Sequence, residues 1–98
     1  MTIQQFKLKE LLDIAKSQLQ DLTKVQNPDF RLEQAVYNKN EDEWVIVVSF
    51  LVEKTNKRIN TLGLPSFELE FQRIFKKLTI NSTKEITGLY IFNAEDSN

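Results

Sequence analysis

The pattern of apolar and polar positions centres on one stretch, Trp44 to Val52, which is almost continuously apolar and rich in β-branched and aromatic residues. The stretch is too short to span a membrane, and its composition favours an extended strand over a helix. Its even-numbered positions form one unbroken apolar face, while Val45, Val47 and Leu51 form a second. The pattern therefore predicts a central strand that is buried on one face and largely covered on the other.

A helix is predicted ahead of this strand, because apolar residues recur there at helical spacing, namely at Leu8, Leu11, Leu12, Ala15, Leu19 and Leu22. It spans about residues 3–25, starts with Thr2 and Gln5 at the spacing of a capping box, and ends at Asn27-Pro28-Asp29. Proline ends the helix since it has no amide donor and disfavours helical backbone in the residue before it. We expect this helix to cover the even-numbered face of the central strand.

Three further strands are predicted from alternating apolar and polar residues, at about 30–37, 67–78 and 86–92, and the central strand itself spans about 44–53. Polar turns separate neighbouring strands, residues 53–66 form a long loop, and residues 93–98 form a polar tail. Phe67, Leu69 and Phe71 are expected under the helix. Residues 1–98 are thus predicted to form a single α+β domain, with one N-terminal amphipathic helix packed on a four-stranded antiparallel meander sheet (α-β-β-β-β).

The second face of this sheet needs a cover, because an antiparallel sheet with one face in water normally carries polar residues there. The apolar odd-numbered positions of the central strand break that rule, and Tyr37 and Leu89 or Ile91 are expected to join them. Three covers are open: a second copy of the chain, a partner protein, or the apolar residues of the long loop, which are Ile59, Leu62 and Leu64. Exposed apolar patches commonly mark interaction sites, which supports the first two.

Composition and charge exclude several functions. The 98 residues are 41% hydrophobic, which is enough for one compact core. The absence of cysteine and histidine removes disulfides, thiolate chemistry, the usual metal ligand and the usual general base near neutral pH. Thirteen basic and fourteen acidic residues give a net charge of -1, so the whole molecule has no attraction to phosphate backbones or anionic membranes. We therefore expect a protein that is not an enzyme and needs no cofactor or metal.

Local clusters of charged residues give little support for nucleic-acid binding, acid–base catalysis or metal binding. Two basic clusters, Lys54/Lys57/Arg58 and Arg73/Lys76/Lys77, lie roughly 20–30 Å apart along the predicted strands, which is too far for one phosphate-tracking stripe. Glu68 and Glu70 are typical of a solvated strand face, and the acidic residues at 41–43 are typical of a turn, not of a metal site. No secretory signal and no apolar run of about 18 residues is present, so a cytoplasmic location is expected.

The second half of the chain, from Phe71 to Ile91, resembles the strand–turn–strand ending of PepSY-like domains. Its turn carries Asn81, and Glu85 stands where those domains commonly have glycine. The preceding stretch from 30 to 50 is similar to small bacterial proteins in which a helix precedes a sheet. PepSY-like domains are usually exported and are thought to restrain peptidases or to bind partners. The resemblance therefore implies this topology and an interaction role, and it implies no site residues.

These observations favour a bacterial cytoplasmic protein that acts by binding another protein or a second copy of itself. Small inhibitors and immunity-type proteins belong to this class. The binding surface is predicted either on the second sheet face, at Val45, Val47 and Leu51, or in the loop at 54–65 with its basic residues Lys54, Lys57 and Arg58. The alternative is a nucleic-acid-associated accessory protein that uses the local basic clusters.

Overall fold

The computed structural model describes the backbone of residues 7–59, 63 and 65–92 and, of these, the side chains outside 55–59 and 65–69. Its elements are α1 (Leu8–Leu19) followed by a 3₁₀ turn (Gln20–Leu22), then β1 (Arg31–Asn38), β2 (Glu43–Ile59), β3 (Pro65–Asn81) and β4 (Ile86–Ile91). The strands form one sheet in the order β1-β2-β3-β4, and every neighbouring pair is antiparallel. The predicted α+β arrangement of one N-terminal helix and a four-stranded meander is confirmed.

The described helix is shorter than the predicted span of 3–25. Its predicted start, with Thr2 and Gln5, lies outside the described residues. At the other end the backbone becomes extended at Thr23, whose hydroxyl donates to the carbonyl of Leu51 at 2.6 Å and accepts from the amide of Val25. The Leu51 amide donates in turn to the Pro28 carbonyl at 2.7 Å. Residues 23–28 therefore run along the edge of β2, and these bonds to the strand compete with continued helix.

The core lies between α1 and one face of the sheet. Leu11, Ala15 and Leu19 of α1 are fully buried, as are Ile46, Val48 and Phe50 of β2 and Leu78 and Ile80 of β3. Phe30 adds an aromatic ring that stacks on Phe50 with 4.8 Å between ring centroids. The prediction that the even-numbered residues of the central strand face the helix is confirmed. No helix in the described part of the chain is long and apolar enough to cross a membrane.

The β2–β3 pair is far longer than the rest of the sheet. It pairs without interruption from Glu43 opposite Asn81 to Ile59 opposite Pro65. Because β1 pairs with β2 only as far as Ser49, and β4 pairs with β3 only from Lys76, residues 52–59 and 65–72 extend as a two-stranded arm. The molecule is accordingly 65 Å long and 30 by 17 Å across.

The arm corrects the predicted loop at 53–66 and the predicted strand ends at 53 and 67. The chain between Glu53 and Ile59 is polar and shows no alternation, and this is why its sequence resembles a loop. Pairing with β3 keeps it extended, since strand backbone is held by ladder hydrogen bonds and an arm in water does not require apolar residues on both sides. β1 starts and ends one residue later than predicted, and β4 ends one residue earlier.

The ladder also corrects the expected position of Phe71. Even positions of β2 pair with even positions of β3, as in Phe50 opposite Ile74, whereas Phe71 lies opposite Glu53. Directly opposed residues share a face, so Phe71 lies on the side away from α1, where its side chain is 59% exposed. Phe67 and Leu69 occupy ladder positions in phase with Phe71. Alternation shows which residues share a face, and only the register shows which face meets the helix.

Candidate interaction surface

The surface of interest is the side of the sheet opposite α1, called here the second face. It carries the odd-numbered residues of β2 and β3 together with the residues paired to them on β1 and β4, among them Val36, Val45, Val47, Leu51, Phe71, Phe75 and Tyr90. Within the described ranges, the one α-helix lies on the other side. The three apolar residues predicted for this face, Val45, Val47 and Leu51, do lie together on it.

These three residues form the floor of the second face and contribute little exposed surface. Val47 is only 4% exposed, and Val45 and Leu51 are partly buried. The more accessible apolar groups are the half-exposed side chains around them, those of Val36, Phe71 and Tyr90. The sequence signal for Val36 and Tyr90 is weak, because each stands next to other apolar residues on an edge strand and only the register shows which face it is on.

Three residues expected on the second face lie elsewhere. Tyr37 is paired with Trp44, and the two rings are 5.8 Å apart on the helix side. Leu89 is paired with the core residue Leu78, and Ile91 is paired with Lys76. A register shift between β3 and β4 at Thr79/Ile80 determines which face of the sheet Leu89 and Ile91 are on. Such a shift cannot be recognised from the alternation within one strand.

A groove of about 500 Å³ opens on the second face at the end of the sheet that is remote from the arm. Its apolar walls come from β1, β2 and the residue after β4, and the full lining is Gln34, Val36, Tyr37, Asn38, Lys39, Val45, Val47, Lys77 and Phe92. Two lysines and no carboxylate are in this set. The groove therefore combines apolar surface with positive charge.

The ring of Tyr90 packs closely over Gly88, on the strand beside Lys77 of this groove. A Cβ atom at Gly88 would lie 2.5 Å from the Tyr90 hydroxyl and 2.7 Å from its ring, so the ring occupies the space that a larger residue would fill. The ammonium of Lys77 lies 5.7 Å from the ring centroid, within the range of a cation–π interaction. The glycine within a predicted strand is the one signal in the sequence for this close approach.

A polar network occupies the middle of the second face, between the groove and the arm. The guanidinium of Arg73 donates to the Asp29 carbonyl at 3.0 Å, to the Asp29 carboxylate at 2.6 Å and to the Ser49 hydroxyl at 2.9 Å. The fully buried Ser49 donates to the Glu33 carboxylate at 2.5 Å, and Arg31 contacts the same oxygen of the Asp29 carboxylate as Arg73 does, also at 2.6 Å. The pKa of Asp29 is lowered by these partners, first by its hydrogen bond with Arg31 and also by the charge of Arg73.

The basic residues considered for nucleic-acid binding do not come together. Lys54 is exposed and lies opposite Glu70, at a ladder position out of phase with the second face. Lys57 and Arg58 lie opposite Phe67 and Ser66, and their side chains are outside the described part of the chain. Arg73 is bound to Asp29 and Ser49. The two predicted clusters therefore offer no shared phosphate-binding surface among the described side chains.

Ile59, which was expected to help cover the second face, does not reach the groove. It lies twelve positions beyond Val47 on the same continuous strand, which corresponds to about 40 Å. Leu62 and Leu64, the other residues of the expected cover, lie outside the described residues. Among the described acidic side chains, no group of three is placed to hold a metal ion.

The comparisons with known proteins do not assign this surface. The likeness of the 71–91 stretch to PepSY-like domains stays a prediction that rests on the sequence alone. Comparison of the chain with protein-family models, with curated proteins and with solved structures gave no match.

Proposed function

We propose that this chain is a non-enzymatic protein-interaction module that binds another protein chain through its second face. The observation that carries the proposal is the accessible apolar surface on this side of the sheet, where Val36, Phe71 and Tyr90 are each about half exposed. Surface of this kind is unfavourable in water and commonly marks an interaction site. The proposal includes a bacterial cytoplasmic location, and a chain without cysteine needs no oxidising compartment to fold there.

The polar groups of the second face support binding over catalysis. Arg73 donates to Asp29 and to the buried Ser49, and Ser49 donates to Glu33, so these residues act as a structural clamp. The groove is lined by lysines, a tyrosine, amides and apolar residues, and this lining contains no histidine, cysteine or carboxylate. A small inhibitor or an immunity-type protein, which acts by occluding a surface of its target, is the class that fits such a face.

The size of the surface limits how the module binds. Covering apolar area yields about 25 cal/mol per Å², and association costs several kcal/mol in lost freedom, so three half-exposed side chains alone are insufficient. The partner must therefore extend beyond these residues, along the groove or along the arm. The second face follows the β2–β3 ladder, whose 17 paired positions span about 58 Å, and can supply that additional area.

Two neighbouring residues of β4 provide a matched test. Tyr90 and Leu89 are 50% and 51% exposed, but Tyr90 lies on the second face and Leu89 lies on the helix side. Tyr90→Asp and Leu89→Asp are expressed as tagged chains in the native cells, cross-linked there and purified, and every cross-linked species is quantified. We expect Tyr90→Asp to reduce the yield of the cross-linked species formed by wild type at least tenfold. Leu89→Asp should leave this yield unchanged.

Thermal unfolding of both variants shows whether the folded state is retained. If two folded variants retain all cross-linked species, or lose them equally, the second face is not the binding surface and the proposal is wrong.

A further inference from the structure

We infer that the partner of the second face is a second copy of this chain, and that the two copies bind reciprocally, with the arm of each lying in the groove of the other. The inference rests on the proposed function, since it names the partner of the same surface. Three features of the molecule carry it: the unsupported arm, the complementarity of arm and groove, and the area that a stable complex needs.

Among the described residues, no further layer supports the arm. Past Leu51, where residues 23–28 still run beside the strand, β2 and β3 pair with each other and with no other described strand. A two-stranded ribbon is marginally stable in water unless a further layer packs against it. The exposed ring of Phe71, at the base of this arm, is where such a layer would make contact.

The apolar residues of the β3 half of the arm share one ladder phase, that of Phe71, Leu69 and Phe67, and they pair with Glu53, Thr55 and Lys57 of β2. The opposite phase pairs Lys54 with Glu70 and Asn56 with Glu68. The phase of Phe71 is continuous with the second face of the sheet. Arm and groove are therefore parts of one face, separated by the clamp of Arg73 and its partners.

Charge as well as hydrophobicity matches the arm to the groove. Glu53 is exposed and lies opposite Phe71, so a carboxylate accompanies the aromatic ring at the base of the arm. The groove offers apolar walls with Lys39 and Lys77 and has no carboxylate in its lining. Lys57 lies four residues further toward the tip of the arm. The clamp between arm and groove carries two arginines and two carboxylates, so two clamps can face each other without net repulsion.

Geometry requires that the arm come from another molecule. Phe71 and Lys77 are six positions apart on one uninterrupted strand and lie on the same face, about 20 Å from each other. The arm of a chain cannot fold back onto its own groove without breaking that ladder. A two-fold axis near Ser49 and Phe75, midway along β2 between Val45 and Glu53, places the base of each arm on the groove of the other copy and closes the assembly.

The area argument favours a second copy over a short peptide. The ladder of 17 paired positions is about 58 Å long, and a two-stranded face about 10 Å wide then offers about 580 Å², to which β1 and β4 add. A stable interface buries about 800 Å² on each partner. The groove or the arm alone falls well short of this, whereas the whole face approaches it, and a second copy has a face of equal length.

The chain contains no cysteine, so single thiols can report the arrangement. We mix two variants, Val36→Cys in the groove and Glu53→Cys on the arm. The mixture is treated with a bis-maleimide that spans about 10 Å, which is the spacing of packed sheets. We expect the 36–53 linked species as the main product. Ile91→Cys, 88% exposed on the helix side, is the matched control and is expected to give no link to Glu53→Cys. Gln34→Cys, also in the groove, replaces Val36→Cys if that variant is unfolded.

The absence of a 36–53 link, or main products linked 36–36 and 53–53, would overturn the inference. Its failure is distinguishable from failure of the proposed function. If the tagged chain is cross-linked in cells to a different protein in a Tyr90-dependent way and purified chains give no link, the function stands and the partner is that protein. If neither experiment gives a cross-linked species, both proposals are wrong.

Discussion

Phe71 lies directly opposite Glu53 in the β2–β3 ladder, and its ring is therefore on the side of the sheet away from α1, where it is 59% exposed. Three residues along the same strand, Ile74 packs against the core on the other side. This single pairing decides whether the apolar residues of the arm stabilise the core or form an outward surface. The structure places Phe71 on the outward surface, and Leu69 and Phe67 hold ladder positions in phase with it.

The first prediction compares two phenylalanines on opposite faces. Phe50 is fully buried and stacked on Phe30, so Phe50→Ala should lower the free energy of unfolding by about 3–5 kcal/mol. Phe71→Ala should lower it by less than about 1 kcal/mol in the monomer, because its ring is largely in water. Urea denaturation at low protein concentration measures both changes. A large loss of stability on Phe71→Ala would mean that Phe71 packs into the core.

The succession of elements could be predicted from the sequence, because helical spacing at 8–22 and the apolar run at 44–52 are long and strongly periodic. The arm could not, since polar residues between Glu53 and Ile59 resemble a loop unless their pairing with β3 is known. The face on which Phe71 lies could not be predicted either, because alternation shows which residues share a face but does not show how the strand is paired with its neighbour.

The candidate surface was only partly predictable for a related reason. Val45, Val47 and Leu51 lie in one apolar run, and their shared face follows from alternation alone. The clamp brings together Asp29 and Arg73, which are 44 positions apart, and Ser49, which is polar within that apolar run. A buried serine in an apolar strand indicates a polar partner, but the identity of that partner depends on the register of three strands.

The second prediction concerns the two arginines that bind Asp29. The side chain of Arg73 is 20% exposed and supports the buried Ser49, whereas that of Arg31 is 58% exposed. We expect Arg73→Ala to lower the free energy of unfolding by about 1–3 kcal/mol, because it removes charged hydrogen bonds at a buried hydroxyl. Arg31→Ala should cost less than about 1 kcal/mol, as is usual for an exposed ion pair. Equal losses in urea denaturation would contradict this account of the clamp.

The third prediction is a loss of stability in acid. The pKa of Asp29 is lowered by Arg31 and Arg73, the pKa of Glu10 by its hydrogen bond with Lys84, and the pKa of Glu85 by its bonds from Thr83 and Asn81. A carboxyl with a lowered folded-state pKa stabilises the fold above its unfolded-state pKa, near 4, and loses that contribution as the pH falls through the folded-state value.

Unfolding measured by circular dichroism between neutral pH and about pH 2 checks this sign. The stability of wild type should be constant above about pH 5 and should fall below about pH 4. Asp29→Asn should be less stable than wild type at neutral pH and should lose less on acidification, so the two curves converge in acid. Parallel curves would show that Asp29 contributes nothing to the pH dependence.

The fourth prediction tests how Gly88 positions Tyr90. In Gly88→Ala the new methyl group would lie 2.5 Å from the Tyr90 hydroxyl and 2.8 Å from the Thr79 hydroxyl, so the ring must move away from the strand. Because the ring is half exposed it has room to move, and we expect a change in stability below about 1 kcal/mol. The Lys77 side-chain protons, which lie near the ring face in wild type, should shift downfield in the NMR spectrum. Unchanged Lys77 chemical shifts in Gly88→Ala would mean that the Tyr90 ring does not lie against Lys77 in wild type.

The measurement that tests the central claim most directly is the solution mass by light scattering over a dilution series. The account predicts that wild type approaches twice the chain mass of 11.5 kDa at high concentration and returns to the single-chain mass on dilution. Phe71→Glu should move this transition to at least tenfold higher concentration, and Ile91→Glu, on the helix side, should leave it in place. A wild-type mass of one chain at every concentration, or a dimer that Phe71→Glu does not weaken, would contradict the claim that two copies meet through the second face.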